Sequence, residues 1–124
     1  MTFLFCRAYA QLLSLEVLLH RGQFSLIYEK VSQCPLSPQS PTADAIPRIC
    51  ESVDRACTWY AKRVLCLQRS GATACLLKRA GVQAELVIGA QLTPFRAHAW
   101  VEVAGSIVND KPYIREMYKV LARC

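Results

Sequence analysis

The sequence predicts an α+β domain in which helices precede a small antiparallel sheet. Apolar residues recur at helical spacing through much of residues 1–80, a pattern that favours amphipathic helices. Between residues 82 and 110 the segments become short, and their β-branched residues alternate in part with polar ones. The chain of 124 residues is long enough for one domain with one core.

The N-terminal segment, residues 1–33, predicts two helices. Leucines recur at helical spacing within Tyr9–His20, and Gly22 provides a stop signal. A second, shorter helix is predicted over Phe24–Val31. We therefore expect this segment to be a helical pair.

The same segment predicts neither a membrane span nor a secretory signal. Its apolar stretch is interrupted by Arg7, Gln11 and Glu16, which a membrane-spanning helix would have to bury in lipid. The first residues lack a basic start and a small-residue cleavage site.

A stretch rich in proline and serine, residues 34–47, predicts an exposed loop. It is too short to be a clear domain linker. We expect it to join the helical segment to a core over residues 48–124, with all three parts belonging to a single domain.

Two helices are predicted at the start of that core. Pro47 opens the first of them, because proline suits the first turn of a helix. Its apolar face consists of Ile49, Val53, Cys57, Tyr60 and Val64. The second helix begins at Cys66 and runs to about Arg79, where Gly81 caps it.

Three strands and a last helix are predicted in the remainder of the chain. The strands cover residues 82–92, 98–103 and 106–110, and the dipeptide Ala104-Gly105 forms the turn between the second and the third. The tail from Tyr113 to Leu121 has a helical pattern.

Charge and hydrophobicity limit the classes of partner. Fifteen Lys and Arg against nine Asp and Glu give a net charge of +6, which attracts an acidic peptide, a nucleic acid or an anionic membrane. The basic residues are scattered and are not interleaved with aromatic residues, so a nucleic-acid partner is disfavoured. The hydrophobic fraction of 53% predicts exposed apolar surface, and hence a partner protein or a shallow membrane contact.

The seven cysteines favour reduced thiols in a cytoplasmic protein. Their number is odd, and no secretory signal precedes them. The sequence has no Cys-x-x-Cys pair, and the spacings between Cys50, Cys57, Cys66 and Cys75 are too wide for a compact zinc site. We therefore predict no metal and no other cofactor. For the cysteines other than Cys66, the expected state is a buried small hydrophobic side chain.

Cys66, His98 and Asp110 are the candidate catalytic residues. A thiol, an imidazole and a carboxylate can act as a nucleophile, its base and the group that orients the base. Cys66 begins a predicted helix, where unpaired backbone N–H groups favour an anion and lower the pKa of a thiol. The same position makes the backbone N–H of Cys66 an expected donor to an oxyanion.

The predicted hairpin provides a geometric test of this grouping. With a three-residue loop, Val103 to Gly105, position 98 lies directly opposite position 110. A two-residue loop shifts the pairing by one residue and weakens the case.

Each member of the group also has an ordinary structural use. Cys66 could be a buried apolar residue, His98 a satisfied core histidine, and Asp110 the end of a strand before a turn. The combination of all three is what favours catalysis.

Three further residues are weaker candidates for the site. Trp100 lies two residues from His98, so it should share its face of the strand and either wall the site or pack in the core. Gln68 and Trp59 are candidates for an oxyanion donor or a site wall, with packing or surface exposure as the alternative.

The chain resembles the peptidase half of the lasso-peptide biosynthesis B proteins, which are transglutaminase-like, papain-like cysteine peptidases. The resemblance runs through Cys66–Ser70, Leu76–Val82, Leu86–Gly89, Pro94-Phe95, Ala97–Val103 and Val108–Asp110. It covers residues 47–121 strongly and the helices before the proline-rich loop more weakly. It implies that Cys66 is the nucleophile, His98 the base and Asp110 the orienting carboxylate, on a catalytic helix packed against the sheet.

The resemblance also implies a substrate and partners. Such an enzyme removes the leader from a ribosomally made precursor peptide, and a separate ATP-dependent cyclase then closes the ring. The family's leader-recognition domain is either fused to the peptidase or a separate protein. This sequence leaves no room for that domain before its N-terminal helices, so we expect the stand-alone form, which works with a separate recognition protein. The N-terminal helices could dock a recognition protein, a cyclase or a membrane-bound exporter.

Two alternatives remain open at this stage. The same three residues serve acyl transfer to an amine in transglutaminase-like and acetyltransferase enzymes. A non-catalytic peptide-binding module could also keep the fold.

Overall fold

The structure is a computed structural model that describes residues 2–21, 24–92 and 94–124. The elements in chain order are α1 (Thr2–His20), α2 (Phe24–Gln33), α3 (Ala45–Trp59), α4 (Cys66–Arg79), β1 (Ala84–Leu92), β2 (Phe95–Val103), β3 (Ser106–Ile107), α5 (Ile114–Met117) and β4 (Lys119–Arg123). The predicted α+β class, with N-terminal helices before a small antiparallel sheet, is confirmed. Gly22, the predicted stop after the first helix, lies outside the described residues.

The sheet has the strand order β3-β2-β1-β4, and every neighbouring pair is antiparallel. Strands β1 and β2 form a long hairpin in which Ala84 faces Val103 and Leu92 faces Phe95. Strand β4 pairs with the other edge of β1, and the register shifts at Ile88 and Gly89, so that β4 carries a bulge.

Helix α4 lies at the centre of the core. Every residue from Ser70 to Leu77 is buried, because α1, α2 and α3 pack on one side of α4 and strands β1 and β2 on the other. The fully buried Leu12 and Leu15 of α1, Ile27 of α2 and Leu77 of α4 belong to one hydrophobic cluster. The N-terminal helices therefore share their core with the sheet.

The first and third helices differ from the prediction at their ends. Helix α1 begins at Thr2, seven residues before the predicted start. Helix α3 begins at Ala45, so Pro47 lies within its first turn, where a missing N–H costs no intrahelical hydrogen bond. It ends at Trp59 because Tyr60 is extended, although Tyr60 and Val64 still pack against the core.

The predicted C-terminal helix is wrong. Helix α5 covers four residues, and the chain then becomes strand β4. Within this strand Val120 and Ala122 are half-buried, while Lys119, Leu121 and Arg123 are exposed. The free edge of β1 supplies hydrogen-bond partners for this segment, and such a nonlocal pairing overrides a local helical pattern.

The turn between β2 and β3 is the predicted dipeptide Ala104-Gly105, and of the two loop lengths considered the hairpin has the shorter, which was expected to weaken the grouping of His98 with Asp110. Val103 pairs with Ser106, so the loop has two residues, Ala104 and Gly105, with φ values of 51° and 81°. Two consecutive residues with positive φ form the turn whose twist matches the flanking strands. Strand β3 then ends at Ile107, earlier than predicted.

The expected state of the cysteines needs two corrections. Cys34, just after α2, and Cys75, on α4, form a disulfide with Cα atoms 5.7 Å apart. The two helices pack side by side, which brings the thiols together. Of the remaining cysteines none is buried: Cys6 is exposed, and Cys50, Cys57, Cys66 and Cys124 are half-buried.

The sequence predicted exposed apolar surface and no membrane-spanning helix in the N-terminal segment. Exposed apolar side chains are present, and the most exposed are Leu92 at 81%, Phe3 at 74%, Trp59 at 72% and Phe95 at 71%. By length and composition, Phe3–His20 is apolar enough to cross a membrane, which differs from the sequence-based expectation. In the fold, Ala8, Leu12 and Leu15 of this helix pack in the core.

Candidate active site

Cys66 occupies the first turn of α4. The preceding residue, Leu65, is the N-cap and has extended backbone angles, φ −79° and ψ 154°. The first backbone N–H groups of a helix have no intrahelical partner, and the helix dipole is positive at this end. The predicted helix start at Cys66 is thus correct, and the half-buried thiol lies where an anion is favoured.

His98 and Asp110 are in direct contact. Nε2 of His98 lies 2.7 Å from Oδ2 of Asp110, and Oδ1 of Asp110 accepts a hydrogen bond from the backbone N–H of Lys111 at 2.8 Å. The thiol of Cys66 lies near enough to the imidazole of His98 for each group to shift the pKa of the other. Because Nε2 is engaged by the carboxylate, Nδ1 is the ring nitrogen left for Cys66. The structure thus brings the three candidate residues together, although the register that was expected to do so is absent.

A buried hydrogen-bond bridge explains how this happens. Ser70 Oγ donates to the carbonyl of Ala99 at 3.0 Å, and Asn109 Nδ2 donates to Ser70 Oγ at 3.0 Å. Asn109 Oδ1 accepts from the backbone N–H of Val101 at 2.8 Å. The Asn109 side chain therefore continues the pairing with β2 beyond the end of β3 and sets the position of the next residue, Asp110.

The electrostatics of Cys66 and His98 favour their ionised forms. Burial, the largest influence, raises the pKa of Cys66, but hydrogen bonds from His98 and from the backbone N–H groups of Ala99 and Leu67 outweigh it, so the pKa lies below its usual range. The hydrogen bond with Cys66 is the largest influence on His98 and, with that to Asp110, raises its pKa to about 9 against the opposing effect of burial. The pair is stabilised as thiolate and imidazolium.

This shift has a consequence for the stability of the fold. A histidine whose pKa is higher in the folded chain than its ordinary value of 6.5 stabilises the fold while it is protonated. The contribution is complete below about pH 6.5 and is lost as the pH rises through about 9.

The other half-buried free thiols differ from Cys66. Burial raises the pKa of Cys50 to about 11, and it also raises the pKa values of Cys57 and Cys124. Of the thiols with a shifted pKa, Cys66 is the one whose pKa is lowered. Among the described residues no cluster of His, Cys, Asp or Glu could hold a metal ion.

Two aromatic rings pack against the imidazole of His98. The ring of Tyr118 stacks on His98 with centroids 5.3 Å apart and planes 24° apart, and Trp100 lies 6.1 Å from His98. Gly89 makes this packing feasible, because a Cβ there would lie 2.8 Å from the Trp100 ring and 2.9 Å from Tyr118 Cβ. Trp100 is fully buried, so it both walls the site and packs in the interior.

Glu102 fixes the orientation of Trp100. Its carboxylate is 1% exposed and accepts hydrogen bonds from Trp100 Nε1 and Arg123 Nη1, each at 2.9 Å. Burial, the largest influence, raises the pKa of Glu102, but the hydrogen bonds from Arg123 and Trp100 lower it overall. Sequence reasoning missed Glu102, Asn109 and Tyr118 as site residues. Glu102 could have been found from the sequence, because side chains two residues apart in a strand share a face. That period places Glu102 on the same face of β2 as Trp100 and His98.

Gln68 is not an oxyanion donor in this structure. Its Nε2 donates to the carbonyl of Leu12 at 2.8 Å and to Oε1 of Glu16 at 3.3 Å, so the buried amide faces α1. Two residues along a helix correspond to a rotation of about 200°, which directs Gln68 away from the side of Cys66. Trp59 is 72% exposed at the end of α3 and is not part of the cavity at Cys66.

Cys66 is part of the wall of an apolar cavity of about 780 Å³. The remaining wall residues come from α1, α2, the start of α4 and three strands, and they are Leu19, Ser25, Tyr28, Leu65, Leu67, Ile88, Ala97 and Ala122. The N-terminal helices thus form one side of the site, and the sheet forms the other.

Comparison with known proteins identifies the class to which this fold and site belong. Residues 10–123 match the family model described as the transglutaminase-like superfamily, and the chain belongs to that family. A segment of 57 residues is 42% identical to the microcin J25-processing protein McjB of Escherichia coli, which corresponds to 46% of this chain and 27% of that protein. The chain therefore spans about a quarter of the length of this curated relative. No solved structure matches the chain significantly.

The family and this similarity agree with the resemblance seen in the sequence. The transglutaminase-like core is confirmed, and the similarity to a microcin-processing protein supports an assignment close to the lasso-peptide B proteins.

Proposed function

We propose that this protein is a cysteine peptidase that removes the leader from a ribosomally made lasso-peptide precursor. The observation that carries the proposal is the hydrogen-bonded pair of His98 and Asp110 near Cys66, which begins α4 on the wall of an apolar cavity. The lowered pKa of Cys66 agrees with it. The similarity to a microcin J25-processing protein supports peptide processing as the biological role.

Catalysis proceeds through a thioester. The Cys66 thiolate attacks the scissile carbonyl, and the N–H groups at the start of α4 are placed to stabilise the oxyanion. The C–N bond breaks as the His98 imidazolium gives its proton to the departing amine.

Water completes the reaction. Neutral His98 takes a proton from water, the hydroxide equivalent attacks the thioester carbonyl, and the C–S bond breaks to release the leader acid and the thiolate. Asp110 keeps the imidazole in position and stabilises its positive form in both halves of the reaction.

The partners follow from the same proposal. The substrate is the precursor peptide, which a leader-recognition protein presents to the peptidase, and a separate ATP-dependent cyclase joins the freed core amine to a side-chain carboxyl. The proposed location is the cytoplasm, where such precursors are made. Neither metal nor cofactor takes part.

Incubation of the full chain with a precursor peptide and a leader-recognition protein tests the function. Mass spectrometry should find two fragments whose masses sum to that of the precursor plus one water. Cys66→Ala should abolish both fragments, whereas Cys57→Ala, a matched half-buried free cysteine, should leave them unchanged.

The alternatives give different products. An adduct between the leader and an added amine, in place of the leader acid, would indicate an acyltransferase. A precursor that is bound but stays intact, with Cys66 alkylated no faster than an ordinary thiol in the presence of the recognition protein, would indicate a binding module.

A further inference from the structure

The cavity beside Cys66 has a chemical character that bears on the choice of substrate. Its volume of about 780 Å³ lies within the range of about 300–1,000 Å³ typical of ligand sites. Apart from Cys66, the described residues of its wall include no Asp, Glu, Lys, Arg or His. A charged side chain that entered it would lose water without gaining a counter-ion, which is costly.

The polar groups on the wall do not change this conclusion. The hydroxyl of Tyr28 donates to the carbonyl of Arg123 at 2.6 Å, so its one donor proton is already used at the edge of β4. Ser25 is exposed on α2. The other described wall residues supply aliphatic surface, and they are Leu19, Leu65, Leu67, Ile88, Ala97 and Ala122.

The position of the cavity relative to the thiol limits what can occupy it. Cys66 lies in the wall, with Leu65 and Leu67 on either side of it. When a carbonyl carbon is in contact with the sulfur, only side chains close to that carbonyl along the peptide can reach the cavity. The occupant is therefore part of the peptide that is being cut.

We propose that this cavity is a subsite for an apolar side chain at one of the two residues that precede the bond that Cys66 attacks. The inference rests on the proposed function for the identity of the substrate. It adds that an apolar residue close to the scissile bond is selected by desolvation, since the described wall residues other than Cys66 offer a charged side chain no partner.

Dipeptidyl chloromethyl ketones test the subsite without requiring hydrolysis. The Cys66 thiolate forms a C–S bond at the methylene carbon of the reagent, and chloride leaves with the electron pair of the C–Cl bond. The series places Phe, Leu, Asp or Lys at either of the two residues, and the second-order rate of Cys66 labelling is followed by mass spectrometry on the full chain.

At one or both of the two positions, Cys66 should react faster with reagents that carry an apolar side chain than with charged ones. Phe or Leu should label Cys66 about 10–100-fold faster than Asp or Lys, given the discrimination that apolar pockets achieve. Both charges are needed in the series, because the net charge of +6 attracts Asp and repels Lys at long range. Desolvation in the cavity, in contrast, should slow labelling by the Asp reagent and by the Lys reagent alike.

Ala122→Phe provides the matched structural test. Ala122 is a half-buried wall residue on β4, and a ring in its place would fill the cavity. The rate with the Phe reagent should fall about tenfold or more, while the rate with small iodoacetamide stays near that of the wild type. Ala10→Phe, which adds the same ring on the exposed side of α1, should change neither rate.

The outcomes separate this inference from the proposed function. Equal labelling by apolar and charged reagents at both positions overturns the subsite, even if the precursor is cut. Apolar selectivity in a chain that does not cut the precursor supports the subsite and counts against the peptidase. If Ala122→Phe does not fold, the wild-type reagent series decides the matter alone.

Discussion

Asp110 illustrates how much a single residue contributes at this site. One carboxylate oxygen lies 2.7 Å from Nε2 of His98, and the other accepts the backbone N–H of Lys111 at 2.8 Å. The carboxylate is therefore held in one orientation from both ends. Its negative charge is one reason why the pKa of His98 rises to about 9, which in turn favours the thiolate of Cys66.

Replacement of this carboxylate by an amide, Asp110→Asn, should weaken the ion pair without a change in shape. Without the negative charge, the pKa of His98 should fall from about 9 toward its ordinary value of 6.5. The imidazolium is then lost at lower pH, so the midpoint for iodoacetamide labelling of Cys66 should move upward toward an ordinary thiol value of about 8.5. The measurement is the labelling rate as a function of pH.

Asp44→Asn is the control for this experiment, because Asp44 is an exposed carboxylate in a helix-surface ion pair with Arg48. Its labelling profile should coincide with that of the wild type. An unchanged profile for Asp110→Asn would mean that the carboxylate does not support the imidazolium.

At the level of elements, the site depends on how α4, β2 and the segment after β3 are joined. Each part of the buried bridge lies next to a candidate catalytic residue: Ser70 is one helical turn beyond Cys66, Ala99 follows His98, and Asn109 precedes Asp110. The bridge therefore positions Cys66, His98 and Asp110, although none of its own side chains takes part in the reaction.

The substitution Asn109→Ala tests this hydrogen-bond bridge. The change leaves the backbone N–H of Val101 without a buried partner, at a cost of about 1–3 kcal/mol in the free energy of unfolding. It also removes the donor to Ser70 Oγ, which keeps its own bond to the carbonyl of Ala99. Asp110 should also lose its fixed position, so labelling of Cys66 at neutral pH should slow. Urea unfolding and the labelling rate are the two measurements.

Gln83→Ala, on the exposed connection between α4 and β1, is the matched surface control. Asn109→Asp separates the two effects, because a carboxylate can still accept from Val101 but cannot donate to Ser70. A stability loss without any change in labelling would restrict Asn109 to a structural role.

At the scale of the whole molecule, the N-terminal helices and the catalytic helix form one unit. Leu19 of α1 and Tyr28 of α2 line the same cavity as Cys66, and the disulfide between Cys34 and Cys75 ties the end of α2 to α4. A change in the packing of α2 should therefore alter the cavity as well as the stability.

The disulfide gives a prediction about the folded state of the entire chain. Denatured without reductant, the protein should show five titratable thiols, and peptide mapping should join Cys34 to Cys75. Reduction should lower the free energy of unfolding by about 2–4 kcal/mol, since the crosslink restricts the unfolded chain. The value for the reduced form is the one that applies in a reducing cytoplasm.

Cys34→Ser should reproduce the effect of reduction, and Cys6→Ser, on an exposed free cysteine, should leave the stability unchanged. Seven titratable thiols in the oxidised sample would contradict the crosslink.

Local sequence was sufficient for several parts of this fold. The start of α4 at Cys66, its end before Gly81 and the two long strands could be predicted, because helical periodicity, capping and strand alternation are properties of neighbouring residues. The residue types at the site could be proposed for the same reason, since a thiol at a helix start already has a favourable field.

Contacts between distant parts of the chain decided the remainder. Strand β4 forms because the free edge of β1 supplies hydrogen bonds that residues 119–123 cannot find among their neighbours. Asp110 reaches His98 because Asn109 bonds to β2 and α4, although the two-residue turn gives a different register from the expected one. Cys34 meets Cys75 because α2 packs against α4. Such pairings depend on distances in space, and spacing along the chain carries no information about them.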